Sequence, residues 1–232
     1  MTGAPLSIIV PVLNEATRIE AALAALAPLR ARGAEVIVVD GGSVDATPGI
    51  ARPLADRVVT SRRGRAVQMN AGAAVARGDI LLFLHADTQL PAEADGILRE
   101  GLAVSGRSWG RFDVHFGEGP LLGVIAVMMN LRSRITGIAT GDQAIFVTRG
   151  AFEAVGGFPP IELMEDIAIS TRLRRLSRPL CLRARVRTSP RRWKENGTLR
   201  TVFLMWRLRL AYFLGADPRR LAQRYGYVPA EQ

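Results

Sequence analysis

Glu35-Val36-Ile37-Val38-Val39-Asp40-Gly41-Gly42-Ser43 begins as an aliphatic, β-branched run and ends in an acid, two glycines and a serine. Unbroken aliphatic character without alternation is what a strand buried on both faces requires, and such strands belong to parallel sheets covered by helices. Ser7-Ile8-Ile9-Val10-Pro11-Val12 upstream and Ile80-Leu81-Leu82-Phe83-Leu84 downstream have the same character. The intervening segments read as helices. Arg18 to Leu29 is rich in alanine and leucine, a second helix starts near Thr47-Pro48 with Ser43 or Asp45 as its cap, and Val67 to Ala76 stops at Gly78. Arg57 to Thr60 is a further short strand. Strands and helices alternating at these spacings predict parallel βαβ units in an α/β layered sheet.

The alternation loosens after Thr88. A helix is expected over Pro91 to Leu102, an alternating strand over Gly110 to Phe116, a strand over Ala144 to Thr148 and a helix over Met164 to Leu176. Leu121 to Met129 is apolar but falls short of the roughly 20 residues that cross a bilayer. The chain has 232 residues, 48% of them hydrophobic, enough for a substantial core without covalent staples. Cys181 is the single cysteine, which excludes an internal disulfide framework and favours a reducing compartment. Met1 to Leu6 runs straight into a strand with no secretion signal, so a cytoplasmic location is expected.

In such sheets ligands bind beyond the carboxyl ends of the strands. Asn14-Glu15, Asp40 and Asp87 each follow such an end, so three polar groups converge on one edge. Gly41-Gly42 beside Asp40 lets the backbone turn tightly and a flat ligand approach, although the same residues also make a helix-capping turn. In His85-Ala86-Asp87 two side chains able to bind metal flank one alanine. Mg²⁺ takes one or two carboxylates and fills its shell with water and substrate phosphates, which one aspartate at a strand end suits. His85 would add a ligand for Mn²⁺, or stand behind the site as a supporting histidine. Arg62-Arg63-Gly64-Arg65 precedes a helix carrying Gln68 and Asn70, a pattern suited to phosphate contacts or to a solvated basic turn. Glu162 and Glu165-Asp166 cluster near another helix start, where one carboxylate can be a cap and another a general base.

Taken in order, Ile9-Val10-Pro11-Val12-Leu13-Asn14-Glu15, Val39 to Asp45, Asn70-Ala71-Gly72, Ala76-Arg77-Gly78-Asp79, His85-Ala86-Asp87, Gly156-Gly157-Phe158 and Glu165-Asp166 resemble the family 2 glycosyltransferases from Ser7 to about Leu176. The His-Ala-Asp variant looks most like a small bacterial branch of that family. The resemblance implies a GT-A fold, a mixed and mostly parallel sheet with helices on both faces. Residues 1–176 would form the transferase domain, its nucleotide half about 1–90 and its acceptor half about 91–176, with 177–232 a basic C-terminal extension containing an amphipathic helix. It further implies that Asp40 bonds the base, typically uracil, that Pro11, Asn14 and Glu15 border the nucleotide, and that Arg65 contacts nucleotide or phosphate. Asp142 and Gln143 would line the sugar and acceptor pocket. Asp87 would hold Mg²⁺ or Mn²⁺, with His85 in place of the usual first aspartate. Asp166, beside Glu165, would be the base of an inverting transfer from a nucleotide-sugar donor, a UDP-sugar in the first instance, to a saccharide or lipid-linked hydroxyl acceptor. Gly41 stands where a second aspartate is common.

Charge is unevenly distributed. Residues 1–171 hold 15 Arg against 18 Asp+Glu, a balance of −3, whereas residues 172–232 hold 16 Lys+Arg against three acids, a balance of +13. That asymmetry suits an anionic membrane face, although 30 of the 31 basic residues being arginine also fits simple codon bias. Leu199 to Leu214 has Val202, Phe203, Trp206, Leu210 and Phe213 on one side and Leu204, Leu208 and Tyr212 on the other. A helix apolar on two sides packs in the protein, joins a second copy, or lies in a membrane interface. Nucleic acid is not an expected partner, because tail charge is its sole support. Two rival readings are a catalytically idle nucleotide- or polyanion-binding module and a nucleotidyltransferase. Asp40, Asp87 and Asp166 together argue against the first; Leu13-Asn14-Glu15, where a glycine- and basic-rich loop would stand, argues against the second.

Overall fold

The computed structural model describes residues 5–117, 119–191 and 197–226. Four strands, β1 (Leu6–Val12), β2 (Glu35–Asp40), β3 (Arg57–Thr60) and β4 (Ile80–Phe83), pair in parallel in the order β3-β2-β1-β4. The sheet continues through β7 (Phe146–Thr148), β6 (Trp109–His115), β8 (Leu180–Thr188) and the two-residue β5 (Thr88–Gln89). β7 and β5 run antiparallel to their neighbours, and β6 and β8 are parallel to each other. The sheet is therefore mixed and mostly parallel, as the aliphatic runs predict.

Helices cover both faces. On β1 the side chains of Leu6, Ile8, Val10 and Val12 enter one core and Ile9 the other; on β2 Val36 and Val38 divide from Ile37 and Val39 in the same way. The first core is closed by α1 (Ile19–Ala24), α2 (Ala27–Ala31), α3 (Thr47–Ala51), α5 (Ala94–Ser105) and α6 (Pro120–Thr136). The second is closed by α4 (Arg65–Val75), α7 (Arg149–Ala154) and α8 (Glu165–Leu173). Gly72 lets α4 sit directly on the sheet, since a Cβ there would lie 2.4 Å from Ile9 Cγ2.

The single helix expected over residues 18–29 is two. Pro28 occupies the first turn of α2, where its missing N–H costs nothing, and the chain turns between Ala24 and Ala27. Ser43 is not a helix cap: its hydroxyl accepts from the Asn14 amide, and the residue preceding α3 is Ala46. β8 lies beyond residue 176, so the sheet reaches into the segment read from sequence as a basic extension. Arg183, Arg185 and Arg187 face solvent while Val186 and Thr188 are buried, which makes β8 a half-buried strand with arginine on its wet face. The chain ends, among the described residues, in α9 (Thr198–Phe213) and α10 (Pro218–Arg224).

α9 divides its two apolar sides between different environments. Leu208 is buried with Leu221 and Ala222 of α10 against Leu163, Met164 and Ile167, the segment that opens α8. Phe203, Trp206, Leu210 and Phe213 stay exposed. α6 is arranged still more unusually. Its inner side buries Asn130 and Ser133, which bond β6: Asn130 Nδ2 donates to Val114 O at 3.1 Å, Asn130 Oδ1 accepts from Val114 N at 2.9 Å, and Ser133 Oγ accepts from the fully buried Arg111. Arg111 also pairs with Asp113, which takes a second arginine, Arg134, at 2.7 Å. The outer side of α6 presents Leu121, Val124, Met128, Leu131 and Ile135 to solvent. Among the described residues no helix is long and apolar enough to cross a membrane.

Candidate active site

The strand directions gather the polar groups. Residues following β4, β6 and β8, and the segment entering antiparallel β7, all emerge at the sheet edge to which β1 and β2 deliver Asn14 and Asp40. A cavity of about 710 Å³ opens there, within the usual range for small-molecule sites. Arg65, His85, Asp87, Asp142 and Asp166 line it together, although they span a hundred residues of sequence.

Asp166 sits in the first turn of α8, after Met164 at φ 71. Its Oδ1 accepts from the Ile167 amide at 2.7 Å and its Oδ2 from the Gly141 amide at 3.1 Å. Two backbone donors thus fix the carboxylate while lone pairs remain for a ligand. Its neighbour Glu165 points elsewhere. It is 2% exposed, Oε1 pairs with Arg65 Nε at 3.0 Å, and Oε2 has no hydrogen-bond partner among the described residues. Burial, helped by the Asp166 charge, raises the Glu165 pKa despite the opposing guanidinium, and the Glu165 charge in turn raises the pKa of Arg65. Glu165 does not line the cavity, and its contact is with Arg65 rather than with the space that Asp166 faces.

His85 is held by Asp142 and Gly141. Nδ1 lies 3.6 Å from Asp142 Oδ1. The ring rests so closely on Gly141 that an added Cβ would fall 2.4 Å from Cε1 and 2.5 Å from Nε2. Burial lowers its pKa, but the hydrogen bond and charge of Asp142, with a contribution from Asp87, outweigh it and the net direction is upward. Asp87 is exposed, and its Oδ1 accepts a long bond of 3.3 Å from the Thr88 hydroxyl. Among the described residues no group of three or more His, Cys, Asp or Glu side chains is placed to hold an ion. One open carboxylate at a cavity fits a hard divalent cation whose remaining ligands come from a substrate's phosphates and water, and does not fit a closed protein cage.

Gln143 also lies outside the residues lining the cavity. It is 0% exposed, its Oε1 accepts from the Thr140 amide in a capping box, and its Nε2 donates to Asn130 Oδ1 at 3.3 Å. With no free edge toward the cavity it braces the turn that presents Asp142. Pro11, Asn14, Glu15 and Asp40 lie at the same sheet edge but outside the residues lining the cavity. Asp40 is 3% exposed and its carboxylate accepts from the Gly42 and Ser43 amides, which stiffens the glycine turn. Asn14, at φ 55, donates its amide to Ser43 Oγ at 2.8 Å and accepts from Val44 N at 2.9 Å. Glu15 N donates to Thr47 Oγ1, and the Glu15 carboxylate pairs with Arg18. Gln68 Nε2 donates to Val12 O, at the end of β1, and to Val39 O, one residue before the end of β2. The loops after β1 and β2 are thereby stitched into one ledge.

Sequence reasoning did not single out Arg132, Ser189 or Met205, which also line the cavity. They stand on α6, after β8 and on α9, elements whose approach to the strand edge leaves no trace in residue spacing.

Comparison with known proteins follows the same lines as the geometry. The model of the family described as "Glycosyl transferase family 2" matches residues 7–145. The chain belongs to that family. This family 2 member is 31% identical over 175 residues to a PGL/p-HBAD biosynthesis glycosyltransferase of Mycobacterium bovis, the match covering 68% of this chain and 64% of that protein. The chain thus spans somewhat less than two thirds of the length of that relative. Among solved structures, the fold of this family 2 protein is similar to a mannosyltransferase from Pyrobaculum calidifontis in complex with GDP-Man and Mn²⁺, with TM-score 0.63, 24% identity, and coverage of 89% and 60% of the two chains. It is also similar to glucosyl-3-phosphoglycerate synthase from Mycobacterium tuberculosis in complex with Mg²⁺ and UDP, with TM-score 0.61, 21% identity, and coverage of 79% and 69%. Both are GT-A glycosyltransferases, and the mixed sheet described above is the GT-A fold.

Proposed function

We propose that this chain is an inverting glycosyltransferase that moves a sugar from a nucleotide diphosphate sugar, a UDP-sugar in the first instance, to a hydroxyl acceptor with the assistance of Mg²⁺ or Mn²⁺. The observation that carries this reading is the Asp166 carboxylate, held by two backbone amides in the same cavity as the open carboxylate of Asp87. Asp166 takes the proton from the acceptor hydroxyl as its oxygen attacks the anomeric carbon. The bond from that carbon to the diphosphate breaks on the opposite face, which inverts the centre in one displacement. A cation held by Asp87, with His85 as a second candidate ligand if it releases Asp142, would supply charge neutralisation for the departing diphosphate. Arg65, aimed by Glu165, adds a fixed positive charge on that side. Asp142 orients His85 and faces the sugar. The ledge of Pro11, Asn14, Glu15 and Asp40 receives the nucleoside. Nucleotides and cations bound in the solved relatives support donor class and metal alike.

Calorimetric titration of UDP with and without Mn²⁺ tests the donor half of this reading. Binding is expected to strengthen at least tenfold with the cation, and Asp87→Asn is expected to remove that gain. UDP and GDP both failing to bind would sink it.

The acceptor side points to a lipid surface. α6 keeps polar residues inside and turns Leu121, Val124, Met128, Leu131 and Ile135 outward, and α9 adds Phe203, Trp206, Leu210 and Phe213. Met128 and Trp206, both exposed, also line the cavity, so the apolar surface runs into it. Arg200 and Arg207 on α9 and Arg219 and Arg220 on α10 are exposed as well, and exposed apolar groups with arginines on the same helices complement an anionic membrane interface. The protein is expected to sediment with vesicles containing phosphatidylglycerol and much less with neutral ones, and raised salt or Arg200→Glu/Arg207→Glu should release it. Indifference to lipid charge would instead favour a second copy of the chain on this face.

A further inference from the structure

The cavity contains two guanidinium groups that sugar transfer as described leaves idle. Arg132 stands on α6 and Arg209 on α9, and both line the cavity. Nε and Nη2 of Arg132 and Nε of Arg209 are buried and have no hydrogen-bond partner among the described residues. A buried N–H of a charged group left unpaired is costly, so three of them around one cavity are a standing demand for an acceptor of hydrogen bonds. Of the other cations there, Arg65 is engaged by Glu165 and His85 by Asp142, and Arg191 is likewise not free. Burial pulls the Arg132 pKa below its ordinary value even though Asp166 and Asp142 act in the other direction. Among the described residues no carboxylate forms an ion pair with Arg132.

The surroundings identify the kind of ligand. Met129 and Ile125 precede Arg132 by three and seven positions, and Met205 and Val202 precede Arg209 by four and seven. Those offsets place them on the same helix face, and all four line the cavity. Each arginine thus ends an apolar stripe, on helices away from the nucleotide ledge. We propose that Arg132 and Arg209 form an anion subsite that recognises a phosphate or carboxylate carried by the acceptor, whose apolar body lies along α6 and α9. This inference rests on the sugar-transfer reading, because it names the acceptor of that reaction. A guanidinium pair is suited to it: each planar fork presents parallel donors to a phosphate or carboxylate, in a cavity where apolar walls strengthen the attraction.

Inorganic phosphate, and benzoate in a parallel arm, titrated into the protein saturated with UDP and Mg²⁺, provide the test. At least one anion is expected to bind saturably, with affinity falling at least tenfold in Arg132→Gln and in Arg209→Gln while UDP affinity changes less than twofold. The tighter anion names the acceptor's group. Arg132→Met, which removes a buried charge with no ion pair among the described residues, is expected to fold and to raise the Tm of the ligand-free protein by about 2–4 °C. Three results would overturn the subsite: neither anion binds; anion and UDP displace each other and weaken together in Arg132→Gln, which would give the arginines to the donor diphosphate; or Arg132→Met melts well below the parent. If no nucleotide binds, the transferase reading fails and the acceptor role with it, whereas arginine-dependent anion binding to the nucleotide-free protein would still uphold the anion site itself.

Discussion

Replacing Asp166 with asparagine is expected to lower sugar transfer about 10²- to 10⁴-fold, the range a positioned general base contributes, and to leave UDP affinity within twofold. The substitution keeps the size of the side chain, so the cavity keeps its shape. It removes the acceptor of the hydroxyl proton, and the amide nitrogen cannot accept from either the Ile167 or the Gly141 amide that now holds the carboxylate. One of these two backbone bonds is therefore lost, with a stability cost of about 1 kcal/mol, which a thermal melt separates from the loss of activity. Single-turnover measurement with donor bound makes the distinction sharpest: chemistry slows while the bound fraction is unchanged. Full turnover in Asp166→Asn would remove Asp166 from the mechanism and leave Asp142 as the carboxylate to examine.

The pair of Arg65 and Glu165 carries the second large effect. Arg65→Leu strands the Glu165 carboxyl in a site that is almost fully buried, with neither oxygen compensated. Breaking a fully buried ion pair from one side costs about 3–5 kcal/mol; the Arg65 side chain is 34% exposed, so the cost here is expected at or below the low end of that range, and for a chain of this size each kcal/mol shifts Tm by about 2–4 °C. The pH dependence has a definite sign. Burial already raises Glu165, and loss of the lowering guanidinium raises it further, so the folded variant holds its proton more tightly than the unfolded chain does. Its stability is then best below the unfolded carboxyl value of about 4.3 and declines as pH rises from there through the raised folded value. The penalty of Arg65→Leu should accordingly be largest at neutral pH and shrink in acid. Arg65→Leu/Glu165→Leu should recover most of the stability without recovering donor affinity. A double variant no more stable than the single would show that the pair is not energetically coupled.

Some of this was legible from the residues and some was not, for identifiable reasons. The unbroken aliphatic runs of β1, β2 and β4 can be satisfied only by burial on both faces, and the polar residues after them had to emerge at one edge. β8 was obscured by its own arginines. Leu182, Ala184 and Val186 alternate with Arg183, Arg185 and Arg187, a half-buried period of two that total charge alone presents as a basic tail. Among the site residues, type and position identified cavity groups such as Asp87 and Asp166 but did not separate them from neighbours of the same chemistry. Glu165 and Gln143 differ from Asp166 and Asp142 by one position each, and the local backbone turns them inward. Asn70 and Gly157, prominent in the sequence pattern, form a clamp: Asn70 pairs through its amide with both Phe158 N and Phe158 O, and a Cβ on Gly157 would reach within 2.8 Å of Asn70 Oδ1. Arg132 and Arg209 lie far apart in sequence on helices that look merely apolar, and only the packing of α6 and α9 around the cavity brings them to one place.

The Asp87–Asp166 cavity is expected to transfer a sugar from a nucleotide diphosphate sugar. The most direct measurement is release of nucleoside diphosphate from a panel of UDP- and GDP-sugars, with Mn²⁺ or Mg²⁺ and with EDTA, using the parent protein, Asp87→Asn and Asp166→Asn. The predicted result is slow release from at least one donor, water standing in for the acceptor, abolished by EDTA and lowered about 10²-fold or more in both variants. Donors that bind without any release, or a release that neither EDTA nor either substitution diminishes, would contradict it.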